Sequence, residues 1–453
     1  MTLFTVRHSD REDDPGAFRA LPLAMLYTVS ESLLSRTMRS AIAALLMLAL
    51  PFAGSGCATR GPLACPSSQA DSRSVKVFYA TDRKRASGPG TWTFGGERTD
   101  PPGINLGSER VLLGPGHRIG QVDAAVRITP AHGHPAAQRD TRSAALQRTD
   151  AQIAAFADSE LRAAIRSAPP PHAGGRRKIL VFIHGFNTTF DYALRKTAQL
   201  AGDLDLVNCT GETRGVAVAY SWPARGKLLS YLADEENAEW TQQRLAPFLQ
   251  SLSRVCREER ADLCLVAHSM GARALVRSLA DLASAGSSPE RIADQVVLLA
   301  PDIGKGLFDQ YVERLLPLVG HLTIYVSARD RALSLSTLLH GGHQRLGLLE
   351  TTVFAALELA GLHRGGHREL GSVPVTPGSR GKTDMIDVSH SMASQFGHTY
   401  EAPEFIHDLR ELICHSTPAA TGGRGLLQRG EIRRDSFRER IETGFTYFRL
   451  KTQ

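Results

Sequence analysis

The sequence predicts an α/β fold, a mostly parallel central sheet with helices on both faces and an N-terminal β extension, on three observations. Beyond residue 178, short apolar runs alternate with segments of helical period. Those runs are apolar at nearly every position, as strands covered on both faces must be. One of them, Leu263 to Ala267, passes without a linker through Ala267-His268-Ser269-Met270-Gly271 into a helical pattern.

The elements follow in order. Val75 to Ala80 alternates and is rich in β-formers, so it reads as the first strand. A loop rich in Gly and Pro extends to about Gly107, and Val111 to Leu113 and Val122 to Ile128 are further strands, antiparallel to the first. From Asp150 to Ile165 the apolar residues recur at helical spacing and stop before the prolines that begin at Pro169. Strand and helix then alternate: strand Ile179 to Ile183, helix Phe190 to Gly202, strand Gly215 to Tyr220, helix Glu235 to Val255. Strand Leu263 to Ala267, helix Met270 to Ala283, and strands Gln295 to Leu299 and Leu322 to Val326 come next, with a late helix Pro403 to Ile413.

The chain of 453 residues is 42% hydrophobic and 22% charged, enough to bury a sizeable core in one large domain with extensions. Residues 38–57 carry Arg39, an apolar stretch from Ala41 to Leu50, and small residues ending at Cys57. Too short to span a membrane comfortably, the segment reads as an export signal. Cys57-Ala-Thr resembles the start of a mature bacterial lipoprotein with a lipidated thiol, while Gly54 stands where such signals prefer Leu, so ordinary secretion stays open. Residues 1–37 would be an upstream extension or a misassigned start, with Met38 as the true one. Residues 58–74 form a linker, 75–415 the folded domain (75–170 an N-terminal extension, 178–415 a catalytic core), and 416–453 a basic tail. The net charge of +7 is spread over the chain, and no recognised nucleic-acid motif accompanies it. Of the six cysteines none forms a close metal-type pair; an exported chain could form one or two disulfides.

The strand, Ala267-His268-Ser269-Met270-Gly271 and helix together form a nucleophile elbow. The sharp turn needs small residues two before and two after the serine, met here by Ala267 and Gly271. Ile179 to Asn187 is a second buried strand, ending in a turn at His184-Gly185-Phe186. The backbone N–H groups of Phe186 and Met270 would form an oxyanion hole. In this arrangement the acid and then a histidine follow the serine in sequence. Asp330, after the strand Leu322 to Val326, is favoured as the acid, and Asp302, after Leu299, is its rival. His398 is favoured as the base, with His390 and His407 as alternatives; His340 and His343 read as loop residues. Trp222, in Ser221-Trp-Pro223, either lines an acyl or leaving-group pocket or packs under a loop, and Gly226 to Asp234 either forms part of a lid or begins a surface helix.

These segments resemble a family of bacterial α/β hydrolases of unassigned substrate, described as esterase- or lipase-like. The resemblance rests on Val77-Phe-Tyr-Ala-Thr-Asp-Arg83, His117-Arg-Ile-Gly120, Phe182-Ile-His-Gly-Phe-Asn187, Tyr220-Ser-Trp-Pro223, Tyr231 with Asp234, and Ala267-His-Ser-Met-Gly271. Ser327-Ala-Arg-Asp-Arg-Ala-Leu333 and Gly397-His-Thr-Tyr400 complete it. It implies the α/β-hydrolase fold and a triad of Ser269, Asp330 and His398, and it favours Asp330 and His398 over their rivals. The expected activity is cleavage of carboxylic esters from small-molecule or lipid substrates, without metal or organic cofactor, in the cell envelope. An acyltransferase or amidase would use the same triad. A non-catalytic envelope lipoprotein would use the fold for binding alone.

Overall fold

The chain divides into two compact units, Met1–Arg60 and Gly61–Gln453. The computed structural model describes residues 73–86, 93–99, 103–114, 117–122, 128–129, 142–169, 175–208, 211–285, 290–348, 382–389, 398, 402–415, 427–429 and 446–450, all in the second unit. The upstream extension, the signal-like segment with Cys57, and His390 lie outside the described residues.

The N-terminal extension supplies β1 (Arg73–Thr81), β2 (Arg83–Ala86), β3 (Thr93–Arg98), β4 (Asn105–Leu113) and β5 (Ile128–Thr129). β4 runs antiparallel to β1, and β5 to β4, as expected. The expected strand at Val122 to Ile128 falls mostly outside the described residues; its end is β5. Helices α1 (Arg142–Phe156) and α2 (Arg162–Ser167) follow. The alternating region then gives β6 (Arg177–Ile183), α3 (Phe190–Asp203), β7 (Gly215–Ser221), α4 (Tyr231–Trp240), α5 (Gln242–Glu258), β8 (Ala261–His268) and α6 (Met270–Ala285). β9 (Ala293–Leu299), α7 (Lys305–Leu315), β10 (Val319–Val326), α8 (Arg331–Leu339), β11 (Thr383–Asp387) and α9 (Pro403–His415) complete the core.

One sheet runs through the unit, and its strands from β1 through β7, β6, β8, β9 and β10 to β11 are parallel. β6 pairs with β7 on one side and β8 on the other, so the strand order reverses at β6. A crevice opens at the carboxyl ends of strands where the order reverses. Alternate residues of each strand serve opposite cores. Ile179, Val181, Leu263 and Leu265 pack with Phe248, Leu252 and Leu275 on one face; Leu180, Phe182, Cys264 and Val266 pack with Phe190, Leu194 and Phe405 on the other. This two-sided burial explains why the strands read as continuous apolar runs.

Three expectations are corrected. The helix expected over Glu235 to Val255 is two helices, parted at Thr241, whose buried hydroxyl donates to Asp82. Arg73 and Ser74, expected in the linker, belong to β1, where they pair with Leu113 and Leu112. Two stretches of the expected basic tail join the sheet: β12 (Leu427–Arg429) and β13 (Thr446–Leu450) extend it, with β13 parallel to β11. Among the described residues Cys256, Cys264 and Cys414 are free and buried, and no helix is long and apolar enough to cross a membrane.

Candidate active site

Ser269 stands at the end of β8 with a φ of 52°, a left-handed backbone that non-glycine residues adopt at a cost. Three backbone bonds hold it there. Its N–H donates to Leu299 O at 2.9 Å, and its carbonyl accepts from Ala272 N at 3.0 Å and Asp302 N at 3.1 Å. Two glycines let the neighbouring turn close on it. A Cβ on Gly271 would collide with the His184 carbonyl oxygen, and one on Gly185 would lie 2.8 Å from both Ser269 Cβ and His268 Nδ1. The β6 turn and the β8 elbow therefore touch backbone to backbone, with Ala267 fully buried between strands.

That contact sets Phe186 and Met270 beside the serine. Among the described residues neither backbone N–H has a hydrogen-bond partner, and Met270 opens α6, where the helix leaves its first amides unpaired. These are the two donors expected for an oxyanion.

Ser269, His398 and Asp330 are joined in one line. The Ser269 hydroxyl donates to His398 Nε2 at 2.9 Å, and His398 Nδ1–H donates to Asp330 Oδ2 at 2.8 Å. Asp330 is fully buried at the mouth of β10, where it also caps α8: its Oδ1 accepts from Leu333 N at 2.9 Å. Burial works against the charged form of His398. The Asp330 charge, the bond to it, and the charge of Asp302 outweigh burial and raise the imidazole above its ordinary value.

The elbow histidine has a different task. His268 Nε2–H donates to the His398 carbonyl at 3.1 Å, and the two rings lie 4.9 Å apart. Burial, with the neighbouring His398, pushes His268 down to about 3, so it is a neutral strut under the candidate base.

Asp302 is not in this line. Its carboxylate accepts from Tyr231 Oη at 2.6 Å and Ser336 Oγ at 2.7 Å, and Arg345 Nε lies 3.3 Å away. His340 pairs with Glu235 at 3.0 Å, and His343 and the half-buried His407 make no bond to Ser269 or Asp330. Trp222 is fully buried, stacked on His184 at 5.0 Å and donating from Nε1 to the His184 carbonyl at 2.7 Å. It packs under the loop rather than lining an open pocket. Gly226 to Asp234 holds a 3₁₀ turn, Leu228–Ser230, and the start of α4; Asp234 accepts from Arg225 N at 2.9 Å.

Two contributors escaped sequence reasoning. Arg83 is buried and fans its guanidinium over the turns around the site, donating to Ser221 Oγ, Ala224 O, Thr188 O and His184 Nε2. His184, pushed well down by burial and then by Arg83, stays neutral and accepts at Nε2 while Nδ1–H bonds Gly185 O. Tyr231 bridges Asp302 to Phe186, against whose ring its own packs at 5.2 Å. Both residues stood in recognised segments, but a one-dimensional motif does not say what a buried arginine or tyrosine reaches. Among the described residues no group of three His, Cys, Asp or Glu is placed to hold a metal ion.

A family model described as alpha/beta hydrolase of unknown function (DUF900) matches residues 171–363. The matched stretch holds Phe186, Ser269 and Asp330, and His398 lies beyond it. No curated protein matches the chain. Among solved structures, TT1662 from Thermus thermophilus is similar at 16% identity and a TM-score of 0.23, over 43% of this chain and 88% of that one. An esterase from Pyrobaculum calidifontis is similar at 11% identity and a TM-score of 0.24, over 62% of this chain and 96% of that one. With its sheet order, elbow and family-model match, the chain is a protein of the α/β-hydrolase fold whose core is similar to a hydrolase family of unknown function.

Proposed function

We propose that the protein is a serine hydrolase that cleaves carboxylic esters through an acyl-enzyme. The observation that carries this reading is the hydrogen-bonded line Ser269–His398–Asp330 at the mouth of a strained elbow. His398 takes the Ser269 proton as the serine oxygen attacks the ester carbonyl, and Asp330 steadies the imidazolium. The Phe186 and Met270 amides hold the oxyanion; one such donor is worth about 3 kcal/mol of transition-state stabilisation. His398 then protonates the departing alcohol, and water, activated in the same way, releases the acid. The chain's own residues suffice for each step.

A fluorophosphonate probe tests this directly. The expected result is covalent labelling of the wild type and none of Ser269→Ala; equal labelling of both removes the reading. Turnover of acyl esters but not matched amides, with no acceleration by an added alcohol, separates an esterase from an amidase or acyltransferase.

We also propose that the protein is exported to the cell envelope, with Cys57 lipidated, on the strength of the signal-like sequence before that cysteine. Incorporation of a fatty-acid analogue that persists in Cys57→Ala would overturn the anchor.

A further inference from the structure

Four leucines stand in water beside the candidate site. Leu229 is 85% exposed, Leu232 68%, Leu338 42% and Leu339 43%, and among the described residues Tyr192 is the only other large apolar side chain so open. They come from two segments, the 3₁₀ turn with the first turn of α4 and the last turn of α8. Tyr231 brings those segments together: its hydroxyl lies 2.8 Å from Ser336 Oγ and its ring meets the His340 ring at 5.9 Å. The same ring packs on Phe186, so the apolar rim borders the oxyanion side of the site.

Two exposed cations flank the rim. Arg225 and Lys227 are exposed just before Leu229, and neither is in an ion pair among the described residues. The acids beside them on α4 are each engaged: Glu236 by Arg98 at 2.9 Å, Glu235 by His340 at 3.0 Å and by Arg273, and Asp234, fully buried, by the Arg225 backbone N–H at 2.9 Å. An apolar rim on two adjoining segments with exposed cations beside it matches a lipid interface, where leucines enter the acyl boundary and cations meet phosphate.

We propose that this rim docks on an anionic phospholipid surface and presents lipid-borne esters to Ser269. A bilayer covers the leucines, answers the cations and supplies an ester at the mouth of the site, whereas a protein partner would cover the rim and supply none. Docking stands apart from catalysis; only the delivery of substrate rests on the proposed hydrolase reading.

The test uses the full chain and vesicles of phosphatidylcholine with or without phosphatidylglycerol. Leu229→Trp, read as its emission minus that of the parent, should shift to the blue with anionic vesicles, a signal local to the rim and indifferent to any anchor elsewhere. Leu232→Ser with Leu338→Ser in that background should weaken the vesicle dependence roughly tenfold. Arg225→Glu with Lys227→Glu should abolish the preference for anionic vesicles. No shift from Leu229→Trp, in a chain with the parent's thermal midpoint, overturns the docking surface, and so does an equal shift with neutral vesicles. Loss of fluorophosphonate labelling in the parent would instead remove the hydrolase reading and leave docking standing.

Discussion

Asp330 divides its two oxygens between His398 and the helix it begins: Oδ2 accepts from His398 Nδ1 at 2.8 Å while Oδ1 caps α8 through Leu333 N at 2.9 Å. Orientation of the base and the start of a helix therefore hang on one buried side chain. Asp330→Asn keeps an oxygen for the cap but offers His398 no charge, so ester turnover should fall by ~10⁴-fold with the thermal midpoint little changed. Asp330→Ala loses the cap as well and should be less stable by about a further 1 kcal/mol. Turnover and melting measured on both variants check this; full turnover in Asp330→Asn would remove Asp330 from the reaction.

The pH profile follows from the same pair. Burial lowers the His398 imidazole, but Asp330, its bond and the charge of Asp302 outweigh it and the value ends raised. Only neutral His398 can take the Ser269 proton, so turnover should rise with pH through an inflection above the ordinary ~6.5 of histidine. Because the folded value is the raised one, this group stabilises the fold fully below the unfolded value, and that contribution is lost as pH rises through the folded one. In Asp330→Asn burial is opposed by the Asp302 charge alone, and the inflection should move down. An unmoved inflection would mean that another group titrates.

Much of this was open to reading in one dimension because parallel strands are buried on both faces. Ile179 to Ile183 and Leu263 to Ala267 are apolar throughout, and the elbow between Ala267 and Gly271 is local chemistry. Asp330 and His398 were ranked by chain order and strand ends, features the sequence carries. The parting at Thr241 was hidden because the buried Asp82, to which its hydroxyl is bound, lies far off in sequence. β13 was hidden because its five residues stand alone in a basic stretch, and the strand it pairs with, β11, lies some sixty residues earlier in the chain. Arg83 and Tyr231 act through long-range bonds that no spacing encodes.

Asp302 and Asp330 separate cleanly by substitution. Asp302 holds Tyr231, Ser336 and the buried Arg345, so Asp302→Asn leaves that guanidinium without its counter-charge. The fold should lose about 3 kcal/mol. Fluorophosphonate labelling of Ser269 should persist, since the bond from Asp302 to Ser269 is made by backbone. Melting and labelling on one preparation read both; a variant that melts like the parent yet no longer labels would make Asp302 the working acid.

Gly271 and Gly306 offer opposite outcomes for the same substitution. In Gly271→Ala the new methyl meets the His184 carbonyl, a backbone atom fixed by the β6 turn, so either the elbow or the oxyanion turn must move. The expected cost is about 3 kcal/mol, with labelling of Ser269 slowed or lost. Gly306 lies in α7 with nothing within 4 Å of its would-be Cβ, and its φ is outside the left-handed region. Gly306→Ala should therefore stabilise the helix by roughly 0.5–1 kcal/mol and leave labelling untouched. Thermal melts of the two variants decide the matter. Equal midpoints would show that the β6 turn yields to a methyl group, and with it that the close contact of the two turns is not what holds Phe186 beside Ser269.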